Sequence, residues 1–259
     1  MKNFLKILCV VVSFGASAFA KSELVDSSVF FHTLRHSPKI EQNGKALSVK
    51  QNDLVKAEGL KIECGVNQYA SLKFSNSVVV VIQPETTIKI SKFKQQQPFE
   101  QKHSDKREQT NSILHIELEK GSLEFVSLEQ RTKSELVVNT QMGAFAFKSK
   151  EFIVEQKNDN VNVFVLSGQA MFTSKNGRKD FIRSKQYANA KTENASANFP
   201  LVIEQFGMIL EEEILKRLSA CRQIQDSVKF EFDANKNLIA KRIIFKEFIL
   251  KKAKYEYRK

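Results

Sequence analysis

From about residue 40 to residue 190 apolar and polar side chains alternate with a period of two. Ala70, Leu72 and Phe74 fall on one face and Tyr69, Ser71 and Lys73 on the other, as in a strand with one buried side. Ser75-Asn76-Ser77 then turns the chain into VVVVI, a β-branched run suited to burial on both faces. Pro84 opens a short break, after which Ile88 and Ile90 resume the alternation. Ile116 and Leu118 lead to Lys120-Gly121, with Leu123 and Phe125 beyond; Leu136 and Val138 lead to Met142-Gly143. Phe152 and Val154 run to NDN at 158–160, and Val161, Val163 and Val165 run to Ser167-Gly168. Ala170 and Phe172 reach Asn176-Gly177, a strong hairpin signal because that pair accepts positive φ at little cost. Short strands, close turn signals and no helical period between them predict an all-β domain.

Two segments interrupt or end this pattern. KQQQPFEQKHSDKREQTN at 94–111 is polar and Gln-rich, and is expected to be a long, mobile loop. NAKTENASANFP closes the domain, with a linker assigned to 191–200. Beyond it, over 201–259, Ile203, Phe206, Leu210, Ile214, Leu218 and Cys221 recur every three or four residues. That spacing predicts an amphipathic helix, its stripe packing on the β domain or forming a two-helix contact with a partner. Glu212 with Lys216, and Glu213 with Arg217, have the spacing of favourable helix pairs. VKFEFDANKNLIAKRIIF then reads as a small hairpin around DANKN, followed by a basic tail.

The first twenty residues have a different character. Lys2 and Lys6 precede an apolar run that ends in Ala18-Phe19-Ala20, the layout of a secretory signal peptide cleaved after Ala20. The run is short for a bilayer span, which needs about 20 apolar residues, and no later segment is apolar enough. The expected product is exported and periplasmic, with an N-terminal extension at 21–39 and no transmembrane segment. Cys64 and Cys221 would remain, as a bridge or as two buried thiols.

The formal net charge is +12, which falls to about +10 once Lys2 and Lys6 are removed with the leader. Much of the excess lies in the C-terminal stretch, which favours an anionic polymer or membrane surface as a partner. With no Trp, four Tyr and an export signal, nucleic acid is not expected.

No constellation for catalysis emerges. His32 and His36 have i,i+4 spacing, but no Asp or Cys accompanies them and Pro38 ends any helix, so they read as a solvated pair. His103 lies in the polar loop, and His115 takes a polar-facing strand position. Glu117, Glu119 and Glu124 face outward among lysines, as on a solvated sheet. There is no G-x-S-x-G, H-E-x-x-H, P-loop or dinucleotide fingerprint. No catalytic, cofactor-binding or metal-ligating residue is assigned, and an enzyme is not expected.

The order of segments resembles the FecR domain. NQYASLKFSNSVVVVIQPETTIKI is similar to that family's opening strand pair, with Ser75-Asn76-Ser77 in place of Asp-Gly-Ser. LHIELEKGSLEF resembles its L-x-L-x-x-G-x-L-x-F segment, with Gly121 in the conventional place. LVVNTQMGAFAF retains Thr140 and Gly143 but carries Gln141 where the family has Pro. VNVFVLSGQAMF places Gly168 at a turn, and FIRSKQYANA has Ser184-Lys185 in place of a Gly. FKSKEF departs furthest, since it lacks the family's Gly-Thr while keeping Phe152 and Val154. Lys148 to Lys150 are therefore the residues whose placement matters most.

The resemblance, which covers about residues 40–190, implies a mainly β fold, a β-sandwich or short β-solenoid, to which the pattern beyond it adds a C-terminal helix and a small basic hairpin. The family's best-known members regulate iron uptake by joining a cytoplasmic helical segment, a membrane span and an extracytoplasmic FecR domain that together control a sigma factor. A leader in place of those parts implies an exported stand-alone FecR-domain protein. Two roles then stand open. One is a non-enzymatic module contacting an envelope protein or polymer. The other is a periplasmic sensor that acts through a separate membrane protein and is not itself an anti-sigma factor.

Overall fold

The computed structural model describes residues 24–96, 106–191, 201–235 and 237–243. The expected leader, the centre of the polar loop, the linker from 192 to 200 and the end of the basic tail lie outside the described residues. In chain order the strands are β1 (Leu24–Asp26), β2 (Ser28–Arg35), β3 (Lys39–Gln42), β4 (Lys45–Ala46), β5 (Leu54–Lys56), β6 (Leu60–Glu63), β7 (Tyr69–Phe74), β8 (Val79–Ile82) and β9 (Thr87–Gln96). They continue with β10 (Ser112–Val126), β11 (Glu135–Thr140), β12 (Gly143–Lys157), β13 (Asn160–Ser174), β14 (Lys179–Arg183), β15 (Gln186–Lys191) and β16 (Val202–Gln205). A helix, α1 (Met208–Ser227), and a hairpin of β17 (Val228–Phe232) and β18 (Leu238–Arg242) complete the described chain. The fold is mainly β with one C-terminal helix, as the alternating pattern predicts.

Hydrogen bonds connect the first sixteen strands into one network, which folds into two layers because three long strands change partners midway. The first half of β10 lies between β9 and β11, and its second half between β8 and β12. The second half of β12 pairs with β10 and its first half with β11. β13 holds β15 with its first half and β14 with its second. One layer, sheet A, runs β4-β3-β6-β9-β10-β11-β12-β13-β14, with β1 also on β9; the other, sheet B, runs β5-β2-β7-β8-β10-β12-β13-β15-β16. Phe31, Leu72, Phe74, Phe125 and Val163 of sheet B share one buried apolar cluster with Ile62, Phe93, Ile116, Val138 and Phe145 of sheet A. Phe74 meets Phe93 edge to face across the layers, with ring centroids 5.2 Å apart.

Gly121 and Gly168, expected at turns, instead mark the bends where β10 and β13 cross from one layer to the other. Their φ values are +98° and +102°, a region side chains rarely enter. A Cβ at Gly121 would lie 2.5 Å from the Thr86 Cα, and one at Gly168 would lie 2.5 Å from the Lys148 carbonyl oxygen. At the first bend the Ser122 amide donates to Thr86 Oγ1 at 2.9 Å. Opposite the second, β12 carries a register shift at Ser149 to Glu151, with Ser149 buried and its hydroxyl donating to the Ser167 carbonyl. The departure FKSKEF is thus the bulge that takes β12 between layers.

Four expectations about segments change. The extension at 21–39 supplies β1 and β2 in its described part, and Val29 and Phe31 are fully buried in the main core. The polar loop begins later and ends earlier than 94–111. Lys94 to Gln96 belong to β9, while Glu108, buried, accepts from the Ser112 hydroxyl and from the Arg131 amide. The linker starts after β15, which extends to Lys191. Finally, the helix begins at Met208: Ile203 and Phe206 precede it, because Val202–Gln205 adds a strand to the edge of β15 and Gly207 caps the helix in extended conformation.

The helix covers the outer side of sheet B. Ile214, Leu218, Cys221 and Ile224 are buried against Val79, Val81, Val126, Ile153 and Leu166, each of which points away from the inner core. Val228 and Phe230 of the hairpin cover Phe30 in the same way. At about 1.5–3 kcal/mol for each large apolar side chain removed from water, this second apolar layer is a major part of the fold's stability. Cys64 belongs to the inner core and Cys221 to the layer beneath the helix; both are free thiols.

Candidate interaction face

The outer side of sheet A has no such cover among the described residues. Its left half is an ionic lattice: Lys61 pairs with Glu119 at 2.9 Å, Lys39 with Glu41 at 2.8 Å, and Lys89 with Glu117 at 3.8 Å. These six side chains are 26–65% exposed, so each pair adds little to stability.

Its right half is different. The register sets His115 beside Val137, Val137 beside Ala146, Ala146 beside Met171 and Met171 beside Phe181. These residues form one row across β10 to β14, all on the outward side because their chain neighbours Leu136, Phe145, Phe147, Ala170 and Ile182 point into the core. A cavity of about 420 Å³ lies over the row, floored by Val137, Ala146, Met171 and Phe181. Phe181, at the edge, is 56% exposed.

Lys148 forms one wall of this cavity. Its ammonium donates to the carbonyls of Arg131, at 3.3 Å, and Ser134, which fixes the loop between β10 and β11 against β12. Burial pulls its pKa down, against the opposing pull of Glu108 and then Glu135. Glu108 itself is pushed up by burial, while hydrogen bonds from Ser112, Ser134 and the Arg131 amide favour its charged form. At the turn between β14 and β15, Lys185 takes the left-handed conformation at φ +61°. Its amide donates to the Val165 carbonyl at 2.8 Å and its ammonium pairs with Glu211 of the helix at 2.9 Å.

The covered face holds the charged groups that sequence reasoning misplaced. Glu124 is not solvated: its side chain is 2% exposed beneath the helix. It accepts from Arg217 Nε at 3.0 Å, while the same guanidinium donates to Glu155 at 2.6 Å and to the Ser122 hydroxyl at 2.9 Å. Arg217 therefore turns to the sheet and not to Glu213. Burial pushes Glu124 up, and Arg217 pulls it back toward the charged form. Glu117 and Glu119 look alike in sequence but lie before the Gly121 bend, on the open layer.

Lys73, also on an outward strand position, is fully buried. Its ammonium donates to the carbonyls of Gln225, at 2.7 Å, and Val228, so it caps the C-terminal end of α1, where the helix leaves its last carbonyls unpaired. Burial pulls its pKa down to about 7, with Asp226 opposing. His32 sits beside it, not in solvent: its ring lies 3.5 Å from the hydroxyls of Ser71 and Ser227. Burial first, then Arg242 and Lys73, lowers its pKa to about 4. His36 is separated from it, at the rim of an open groove of about 870 Å³ lined by Arg35, Gln68, Tyr69 and Pro84. Gln68 holds that rim by donating to the His36 carbonyl at 2.8 Å. The groove is wide and of mixed lining, and carries Arg35 as a cation.

Among the described residues, no helix is long and apolar enough to cross a membrane, and no three His, Cys, Asp or Glu side chains converge as metal ligands. Residues 61–171 match the sequence model of the family described as FecR protein. No curated protein matches the chain. Two crystal structures of a proposed anti-sigma factor from Parabacteroides distasonis, at 2.50 and 1.65 Å resolution, superpose with TM-scores of 0.41 and 0.39. Their identities are 9% and 8%, and each superposition covers 71% of this chain and 99% of the solved one.

Proposed function

On the premise that residues 61–171, which match the FecR family model, form such a domain, we propose that the chain is a non-catalytic module that docks another protein of the cell envelope. The observation that supports this reading is the apolar row Val137–Ala146–Met171–Phe181, uncovered among the described residues, set beside an outward apolar face that its own helix conceals. A domain that has the means to cover one face and leaves the other open is suited to covering it with a partner. The expected setting is the periplasm, reached by means of the leader and its cleavage after Ala20.

Photocrosslinking tests the reading. A photoreactive residue placed at Met171 is expected to give specific adducts in intact cells, and one at Lys216 on the helix's solvent side is not. Equal adducts from both positions, or none from Met171, would overturn it. The FecR family favours a regulatory outcome of that docking, through a separate membrane protein. Deletion of the gene would then alter transcription of the regulated genes, whereas an unchanged transcriptome would leave a structural role.

A further inference from the structure

The edge of the open face has directional chemistry of its own. The Ser174 amide donates to the Arg178 carbonyl at 2.9 Å, so that pair is a hydrogen-bonded one in the β13–β14 ladder. Alternation makes Phe172 with Asp180, and Ala170 with Ile182, the other hydrogen-bonded pairs. The main-chain groups of Lys179, Phe181 and Arg183 therefore point away from β13, toward the free side of β14. The Arg183 amide is taken by Gln186 Oε1 at 2.7 Å. Among the described residues no strand pairs with that side.

The side chains of the same three residues stand on the open face, giving the edge the order cation, aromatic, cation. All three are exposed, and neither Lys179 nor Arg183 forms an ion pair among the described residues; the nearby Asp180 is engaged by Arg178 at 2.7 Å. Native edges are commonly blunted by being short or bulged, by inward charges, or by edge cations such as lysine, and Lys179 and Arg183 serve that end against unselective pairing. This one has a five-residue strand, regular pairing to β13 and a 56% exposed Phe at its centre. Self-pairing is disfavoured. A second copy joined antiparallel about Phe181 would set each Lys179 against the other copy's Arg183, like charge against like charge.

We propose that β14 accepts an extended segment of a partner protein as an added strand, one whose outward side chains run acidic, apolar, acidic. The added strand would take its main-chain bonds from Lys179 and Phe181, place its apolar residue beside Phe181 over the cavity, and pair its carboxylates with Lys179 and Arg183. This rests on the reading of the sheet A face as the docking surface. It adds which edge binds and what the bound strand carries.

The test uses a disulfide-closed hairpin peptide presenting TETLTET as its outer strand, labelled and titrated with the full chain by fluorescence anisotropy. Saturable binding is expected, at least tenfold tighter than for a hairpin of the same composition presenting EETTLTT. Lys179→Pro is expected to abolish the difference, since its amide faces away from β13 and the native ladder loses no bond. Lys179→Gln should retain part of the difference, and thermal melts verify that both variants fold. Equal affinity for the two peptides, no saturable binding, or an unaffected Lys179→Pro variant would overturn strand addition. So would a concentration-dependent dimer that Lys179→Pro dissolves, which would assign the edge to a second copy. If these arms fail while Met171 still crosslinks specifically, the docking face stands and only the added strand falls; if both fail, both fall.

Discussion

The two outer faces of the sandwich start from the same kind of sequence and end differently. Val79, Val81, Ile153 and Leu166 on sheet B, and Val137, Ala146 and Met171 on sheet A, are all outward-facing apolar residues in alternating strands. On sheet B they are sealed by α1, and the sealed layer admits charge only where it is fully answered, as Arg217 answers Glu124 and the α1 terminus answers Lys73. On sheet A, among the described residues, nothing covers them, the flanking charges are exposed, and the row ends at an edge with no strand paired to it. The comparison teaches that outward apolar content alone does not identify a binding face; what matters is whether the chain supplies its own cover.

The same substitution on the two faces should separate them most sharply. Leu218→Asp would force a carboxylate into the layer between helix and sheet and is expected to cost about 4 kcal/mol or undock α1 altogether. Met171→Asp should change stability by less than about 0.5 kcal/mol. Urea denaturation of the two variants checks the pair, and equal losses would break the distinction. Next in size, Arg217→Ala strands Glu124 and is expected to cost about 3 kcal/mol at neutral pH. Because burial raises the Glu124 pKa, that loss should shrink as acid protonates the carboxyl, and a second change, Glu124→Gln, should recover part of it.

Lys73→Met leaves the carbonyls of Gln225 and Val228 without their donor and should cost about 2 kcal/mol at pH 7. The sign of its pH dependence follows from the depressed pKa. Between about 7 and the ordinary 10.5 the unfolded chain holds a proton at Lys73 that the folded chain has lost, so wild-type stability rises with pH across that window. The variant lacks this rise, and denaturation at pH 7 and pH 10 should show the gap widening. The smallest effect belongs to His32. Its folded pKa, about 4, lies below the ordinary 6.5, so its contribution is full above 6.5 and is lost as pH falls toward 4. His32→Gln should flatten that part of the acid limb in a pH-resolved melt.

Much of the architecture was legible in the alternation. The strands around Leu72, Ile116 and Val163, the Asn176-Gly177 hairpin and the DANKN hairpin all follow from local pattern and turn chemistry. The glycines were legible as special positions but not as bends. A positive φ serves a hairpin or a crossing equally well, and only the partners on either side distinguish them. Candidate charged groups were the least legible. Glu119 and Glu124 each follow an apolar residue of an alternating strand, yet one pairs with a partly exposed lysine and the other lies under a helix.

By itself the sequence determined that β structure would dominate, that a helix with one apolar stripe would follow, and that the segments would resemble a FecR domain. Those are consequences of periods of two and of three to four, which each residue's neighbours already specify. The tertiary structure decided that β10, β12 and β13 would cross between layers, that α1 would conceal one face, and that Phe181 would stand at the edge of the other. Burial and accessibility are settled by which distant segments come to lie on a surface, and local periodicity carries no record of that choice.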